Sequence, residues 1–266
     1  MLQRLSHGKG LTFDLVSDIF LSRQRLNKTA QIFRTLWSCD LNSIHDLHRH
    51  FVTRIITLNK AHPLVPTRFQ LRPIVILSPI VKVLESRLVC KLKDYATYKL
   101  HPSQTGFVEG CGTMVNIVRL IQRVKSRAAK GIHCYAVFID FKSAFNTIKH
   151  STLFNRLNGI LNIEEIQLLQ AIYSRLILCI GKEKISPNLG VAQDSVLSPL
   201  QFNIYTEALL INLNKLGINN EDLFCYADDL VILCYSLQEI HEVIKLIRTW
   251  SLTNKLFLNN DKSGNP

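Results

Sequence analysis

Two adjacent carboxylates, Asp228 and Asp229, stand between two apolar runs that are each long enough for a strand and too short for a helix. This pattern predicts a β-hairpin that carries both acids at its turn. An ionised carboxylate among apolar neighbours is costly to bury unless a cation or hydrogen bonds compensate it. A hard divalent metal ion is the simplest such partner. The alternative is an ordinary polar turn whose carboxylates point into water.

A third carboxylate, Asp140, follows an apolar, β-prone run at residues 133–139. The run predicts a buried strand, and residues 141–157 predict a helix after it, so a helix cap is the simpler role for a lone Asp140. If the strand pairs antiparallel with the hairpin, however, all three acids lie at one end of a sheet. Such a cluster can hold two Mg²⁺ ions roughly 3.5–4 Å apart for in-line phosphoryl transfer, in polymerases and in nucleases alike.

The elements that must position these acids are both helices and strands. Three prolines interrupt helix formation between residues 63 and 73, and residues 72–77 predict an extended segment. Residues 181–198 predict a turn-rich connection, and residues 255–258 a short strand. Helical patterns are found at residues 11–27, 42–58, 79–88, 113–130, 163–174, 199–216 and 237–253.

The most glycine-dense stretch, residues 104–113, leads into a helix that Thr113 can cap. The helix has an apolar stripe on one side and several basic residues toward its far end. These basic residues either are solvated surface charges or bind a phosphate backbone. The stripe consists of Met114, Ile117, Val118, Ile121 and Val124, and the basic residues are Arg119, Arg123, Lys125, Arg127 and Lys130.

The formal net charge of +12 is spread unevenly over the 266 residues. Residues 1–132 contain 21 Lys and Arg against 7 Asp and Glu, a balance of +14, whereas residues 133–266 contain 11 against 13. A basic half joined to a slightly acidic half favours a polyanion site in the first and a metal site in the second. A solvated basic surface is the alternative, and an excess of this size favours nucleic acid.

Seven scattered cysteines without a Cys-x-x-Cys pair indicate buried, reduced thiols in an intracellular protein. No apolar run approaches membrane-spanning length, and the N-terminus lacks the apolar core of a secretory signal. We therefore expect a soluble protein that does not enter a membrane. The sequence does not indicate whether its compartment is the nucleus or an organelle, nor its oligomeric state.

Six segments, in their order along the chain, resemble those of reverse transcriptases of the non-LTR retrotransposon and group II intron type. Tyr-Ala-Asp-Asp at residues 226–229 resembles the signature of that family, and residues 138–145 are similar to the strand that carries its first catalytic aspartate. Each match is weak alone, whereas six in the family order are specific. The other four are residues 72–74, 104–107, 190–200 and 258–263.

The resemblance implies roles for individual residues. Asp140 and Asp228 would be the principal ligands of two Mg²⁺ ions, with Mn²⁺ as an alternative metal, and Asp229 would lie alongside them. Phe145 would be the aromatic gate that selects deoxynucleotides, although its position also suits an apolar contact. The remaining roles concern the nucleotide: Arg72 at the triphosphate, the backbone at Phe141 also seating the triphosphate, Gln193 near the new base pair and Lys262 near the pyrophosphate. Surface charges are the alternative for Arg72 and Lys262.

The sequence departs from the family pattern at three points. Asp194 stands where the family has glycine, which adds bulk and negative charge where a nucleotide should approach closely. Asn146 stands where an aspartate is usual. The chain ends at Pro266, soon after Lys262, so the thumb that clamps the duplex is expected to be absent.

We therefore predict an α+β right-hand polymerase fold whose palm has an antiparallel sheet with flanking helices. Its expected parts are a helical basic extension at residues 1–62, fingers at 63–132 and a palm at 133–266, with a fingers-side insertion at about 158–190. The predicted function is RNA-directed DNA synthesis from an RNA template, a DNA primer and deoxynucleoside triphosphates. The alternatives are a decayed reverse transcriptase that only binds nucleic acid, an RNA-dependent RNA polymerase and a two-metal nuclease.

Overall fold

A computed structural model describes residues 51–59, 63–65, 71–193 and 195–259. These residues form two compact units, each built from separate stretches of sequence. The first unit takes in the described residues up to Cys90, residues 161–188 and those from Ala192 to Ser198. The second takes in residues 91–160, 189–191 and 199–259. The helix predicted at residues 11–27, and residues 42–50 of the helix predicted at 42–58, lie outside the described residues.

A four-stranded sheet forms the first unit, with the strand order β2-β1-β4-β5. Strand β1 pairs antiparallel with β2 and parallel with β4. Pro73 lies in β2, where a residue without an N–H group is tolerated because this strand is at the sheet edge. The strands are β1 (Val52–Asn59), β2 (Leu71–Ile76), β4 (Ile177–Ile180) and β5 (Glu183–Ile185).

The core of the first unit lies between this sheet and two helices, α1 (Pro79–Tyr98), whose residues from Lys91 onward belong to the second unit, and α4 (Ile163–Arg175). Both helices were expected from their apolar spacing. A complete capping box at Asn162 and Glu165 fixes the start of α4. The buried core side chains are Phe51, Val75, Leu77, Val81, Val83, Leu84, Ile172 and Leu176.

The predicted helix at residues 42–58 is wrong where it can be checked, because residues 52–59 form strand β1. Val52, Thr53, Ile55, Ile56 and Thr57 are all β-branched and favour a strand over a helix. The extended segment predicted at residues 72–77 is confirmed as β2. The turn-rich connection predicted at residues 181–198 contains, in addition, the short strand β5.

The second unit contains an antiparallel sheet with the order β3-β7-β6. The predicted hairpin and its antiparallel pairing with the strand before Asp140 are both confirmed. Strand β3 is not buried as predicted, since Phe138 is 57% exposed at the sheet edge. The elements are α2 (Thr113–Ala128), β3 (Tyr135–Ile139), α3 (His150–Leu157), α5 (Ser198–Lys215), β6 (Leu223–Tyr226), β7 (Asp229–Cys234) and α6 (Leu237–Asn254).

The single helix predicted at residues 141–157 is wrong. Ser143 has a φ of 48°, a left-handed conformation that cannot continue a helix, and only a short 3-10 turn (Ala144–Asn146) precedes α3. The main-chain N–H of Lys142 donates to the carbonyl of Phe257 at 2.7 Å. Among residues 140–143 only Phe141 makes a strand-like bridge, residues 142–143 form a turn, and the helix begins only at His150.

Helix α2 lies against β6 with its charged side rather than its apolar side. The five residues of the predicted stripe are between 38% and 65% exposed. On the other side, Arg119 lies over the ring of Phe224 and Arg123 pairs with Asp222. Gly112 is the N-cap in place of the predicted Thr113, and no side chain bonds the helix start. At least one of the predicted phosphate-binding cations, Arg123, is thus engaged within the unit.

Candidate active site

The turn of the β6–β7 hairpin carries the paired carboxylates. Tyr226 pairs with Asp229, so Ala227 and Asp228 are the two turn residues. Ala227 has a φ of 55°, which two-residue hairpin turns favour but which costs a residue with a Cβ atom roughly 1–2 kcal/mol. Asp228 is half-buried and Asp229 is exposed.

Asp140 arrives at the same end of the sheet through strand register. Ile139 pairs with Leu230, and continuing that antiparallel register places Asp140 level with Asp229. The strand register therefore brings the backbones of the three acidic residues to one end of the sheet, as the predicted antiparallel pairing requires. In the part of the chain that the structure describes, however, no group of three His, Cys, Asp or Glu side chains is arranged to hold a metal ion.

A polar contact that the sequence did not predict holds the Asp140 carboxylate. The side-chain amide of Asn259 donates to Asp140 Oδ2 at 2.6 Å, and its main-chain N–H donates to the Asp140 carbonyl at 2.8 Å. The strand predicted at residues 255–258 is not formed: Leu258 makes only an isolated antiparallel bridge with Phe141, and Lys255 is the left-handed C-cap of α6. The Phe141 side chain is buried, 6.4 Å from the ring of Trp250, so only its backbone is available to a nucleotide.

The glycine-rich segment lies beside the carboxylate turn. Residues 103–105 run parallel to β6, with the N–H of Thr105 donating to the Cys225 carbonyl and the N–H of Cys225 donating to the Ser103 carbonyl, each at 2.9 Å. The side chain of Gln104 is buried and bonds the backbone of Ala227. Gln104 begins one of the six family-like segments, but no pattern in the sequence predicts its bonds to Ala227.

Gly106 is the glycine that the turn requires. A Cβ atom at this position would lie 2.3 Å from the backbone nitrogen of Ala227, a distance at which the turn would have to shift. The amide of Asn203 donates to the Gly106 carbonyl at 2.6 Å and fixes the segment from the other side.

Phe145 lies in an aromatic cluster near the turn. Its ring stacks on Phe202 at 4.5 Å and meets the ring of Phe107 edge-on at 6.4 Å, while Phe107 lies 6.4 Å from Tyr226. The apolar contact considered for Phe145 is thus present. The side chain is nevertheless only half-buried, so part of the ring is open to solvent.

Two further predicted site residues, Arg72 and Gln193, belong to the first unit. The backbone of Arg72 lies in β2, opposite Leu58, and Gln193 lies in a turn. Asp194 and Lys262 lie outside the described residues. Their predicted roles stay predictions.

Cysteine burial differs from the prediction. Cys179, Cys225 and Cys234 are buried, but Cys90 and Cys111 are exposed. None of the described helices is long and apolar enough to cross a membrane.

The thiol of Cys225, two residues before Ala227 in the carboxylate turn, should be unreactive. Burial, and secondly the charge of Asp228, raise the pKa of Cys225 to about 12, so the thiolate is scarce at neutral pH. Iodoacetamide treatment of the native protein followed by peptide mass spectrometry should label Cys90 and Cys111 but not Cys225. Labelling in urea is the control, and native labelling of Cys225 at the rate of Cys90 would contradict the structure.

Solved structures share this fold. Telomerase from Candida albicans, in complex with a fragment of telomeric RNA, is similar over 91% of this chain and 47% of its own, with a TM-score of 0.60 and 11% identity. Apo telomerase from Candida tropicalis is similar over 91% of this chain and 48% of its own, with a TM-score of 0.60 and 13% identity. The chain therefore has the mixed helix and strand fold seen in telomerase.

Sequence comparison identifies the family of the chain. The family model "Reverse transcriptase (RNA-dependent DNA polymerase)" matches residues 60–265, and the chain belongs to this family. The "Probable RNA-directed DNA polymerase from transposon BS" of Drosophila melanogaster is 27% identical over 210 residues, covering 73% of this chain and 23% of that protein. The Pol polyprotein from the type-1 retrotransposable element R2 of Popillia japonica is 30% identical over 177 residues, covering 61% and 24% respectively. The chain spans about a quarter of the length of these relatives.

Proposed function

We propose that this chain carries out RNA-directed DNA synthesis, with its second unit as the palm and its first unit as part of the fingers. The observation that carries the proposal is the convergence of Asp140, Asp228 and Asp229 at one end of the β3-β7-β6 sheet in a member of the reverse transcriptase family. The names of the relatives and the basic balance of residues 1–132 support an RNA template and a DNA primer as partners.

The donor set fits divalent metal ions, because all three side chains offer the carboxylate oxygens that Mg²⁺ prefers. Asp140 and Asp228 would hold the ions, with Asp229 alongside. When bound, the metal ions lower the pKa of the attacking primer hydroxyl and neutralise charge on the leaving pyrophosphate. In the structure Asp140 Oδ2 already accepts the bond from Asn259, which orients this carboxylate before a metal binds.

The chain's own residues would position the reactants. The backbone at Phe141 would seat the triphosphate, since its side chain points into the core. Arg72 would contact the triphosphate with its planar guanidinium, Gln193 would lie near the new base pair and Lys262 near the pyrophosphate. Phe145 would leave no room for a ribose 2′-hydroxyl.

A second candidate function is nucleic acid binding without synthesis. Asp194 in place of glycine and Asn146 in place of aspartate favour it, because both are charge changes in segments that the family resemblance assigns to nucleotide binding. Extension of a DNA primer on an RNA template with Mg²⁺ and all four deoxynucleotides separates the two functions. Extension supports the polymerase, whereas salt-sensitive RNA binding without extension, together with extension by Asp194→Gly, supports a polymerase disabled at one residue.

The proposed gate predicts a change in sugar selectivity. Phe145→Val removes the ring that stacks on Phe202 and should raise ribonucleotide incorporation relative to deoxynucleotide incorporation by roughly 10–100-fold. The ratio of kcat/KM for the two nucleotides measures it. Phe257→Val is the matched control, since Phe257 is 49% exposed and outside the aromatic cluster. An unchanged ratio of kcat/KM in Phe145→Val would show that Phe145 does not select the nucleotide sugar.

A further inference from the structure

Gln104 uses all four hydrogen-bonding positions of its side-chain amide around the carboxylate turn. Its Oε1 accepts from the N–H of Ala227 and from the N–H of Gly106, each at 2.9 Å. Its Nε2 donates to the Ala227 carbonyl at 3.2 Å and to the Cys225 sulfur at 3.1 Å. An amide offers two donors and two acceptor sites, so this arrangement leaves none unused.

The Gln104 amide bonds both the N–H and the carbonyl of Ala227 and so fixes this residue's backbone. Ala227 holds the unfavourable positive φ of the turn, and both of its backbone polar groups are bonded by one side chain. Reversing the Gln104 amide would place its NH₂ group against two N–H donors, so only one orientation is compatible with the backbone. The parallel bridge between Gln104 and Cys225 also fixes the Gln104 backbone from which the side chain extends.

We infer that Gln104 is a positioning residue for the proposed reaction: its amide imposes the left-handed conformation of Ala227 and thereby sets where the next residue, Asp228, presents its carboxylate. This inference rests on the proposed function for its catalytic consequence. The hydrogen bonds from Gln104 to Ala227, here called the clamp, do not depend on the proposed function, because they belong to the folded chain.

The chain offers a matched control for a merely structural role. Asn116 is also a buried amide, and its Nδ2 donates to the Cys225 carbonyl at 2.9 Å, on the same strand but two residues before the turn residue Ala227. Gln104→Met and Asn116→Leu each replace a buried amide by an apolar side chain of similar size. Both should lower the thermal stability, but only the first releases Ala227.

The experiment compares these two variants with the parent by steady-state primer extension and by amide hydrogen exchange of ¹⁵N-alanine-labelled protein. Gln104→Met should lower kcat by about 100-fold with little change in KM, since a small misplacement of a reacting group is costly, and should accelerate exchange at Ala227. Asn116→Leu should leave kcat and Ala227 exchange close to the parent. Equal effects of the two variants would overturn the inference.

A rescue variant separates positioning from misfolding. Glycine adopts a positive φ without strain, so Ala227→Gly in the Gln104→Met background should recover part of kcat, giving a non-additive double-mutant cycle. Additive losses would contradict the inference. If the parent extends no primer, the proposed function fails alone, and Ala227 exchange together with Mn²⁺ binding measured by electron paramagnetic resonance still decides whether Gln104 sets the turn.

Discussion

Asp228→Asn is expected to abolish metal-dependent primer extension while the protein stays folded. Asparagine keeps the size of the side chain and the shape of the turn, but it removes the negative charge that would bind the metal ion. Loss of about 4 kcal/mol of transition-state stabilisation corresponds to a rate about a thousandfold lower. The measurement is single-turnover extension of a DNA primer on an RNA template across a range of Mg²⁺ concentrations.

Asp94→Asn is the matched control for this variant. Asp94 is exposed on α1, so the same change of one charge should leave extension at the parent rate. Circular dichroism of both variants should match the parent. If Asp228→Asn extended the primer at a rate close to that of Asp94→Asn, the proposed role of Asp228 in metal binding would be contradicted.

The second large effect is expected on stability, from the ion pair that attaches α2 to the hairpin. Asp222 is 1% exposed, and Arg123 donates to its two carboxylate oxygens at 2.8 and 2.9 Å while the Tyr235 hydroxyl donates at 2.5 Å. Asp222→Asn removes the buried carboxylate and leaves Arg123 paired, among the described residues, only with the exposed Glu221. Because hydrogen bonds to charged groups contribute about 1.5–3 kcal/mol, the variant should lower the free energy of unfolding by about 2–3 kcal/mol in urea denaturation.

Glu221 provides the comparison, because it contacts the same guanidinium at 2.5 Å with a side chain that is 74% exposed. Solvent screens such a pair, so Glu221→Gln should cost only about 0–1 kcal/mol. Similar losses in the two variants would show that burial of Asp222 does not determine the strength of the pair.

The pH dependence of this pair has a definite sign. Burial alone raises the pKa of Asp222, but the hydrogen bonds from Arg123 and Tyr235 and the nearby positive charges outweigh it, so the net pKa is below the ordinary value. The stabilisation is therefore present above the ordinary carboxyl pKa and is lost as the pH falls through the lowered one. The difference in unfolding free energy between the parent and Asp222→Asn should shrink toward acid pH and stay constant near neutrality.

The hairpin and most helices of the described residues could be predicted because their signals are local. The apolar runs on either side of Asp228 and Asp229 have strand length, and α4, α5 and α6 show helical spacing. The apolar spacing at residues 52–59 also suits a helix, and only the β-branched residues that fill this stretch favour the observed strand. Ser143 interrupts a helical pattern by a backbone conformation that serine does not signal.

The orientation of α2 also could not be predicted, and here the reason is different. An amphipathic pattern gives two faces, and burial of the apolar face is the usual outcome. Here the inward face is selected by Asp222, which lies 99 residues from Arg123 in the sequence. The contacts of Gln104 and Asn259 likewise join residues more than a hundred positions apart, so no local pattern contains them.

The separation between Gln104 and Ala227 also bears on when the carboxylate turn forms. These residues are 123 positions apart, so these hydrogen bonds can form only once the two segments have been brought together. The hairpin sequence alone does not contain the contacts that hold Ala227 in its left-handed conformation. The chemistry proposed for Asp228 therefore depends on a contact of high sequence separation, and an isolated hairpin peptide would lack it.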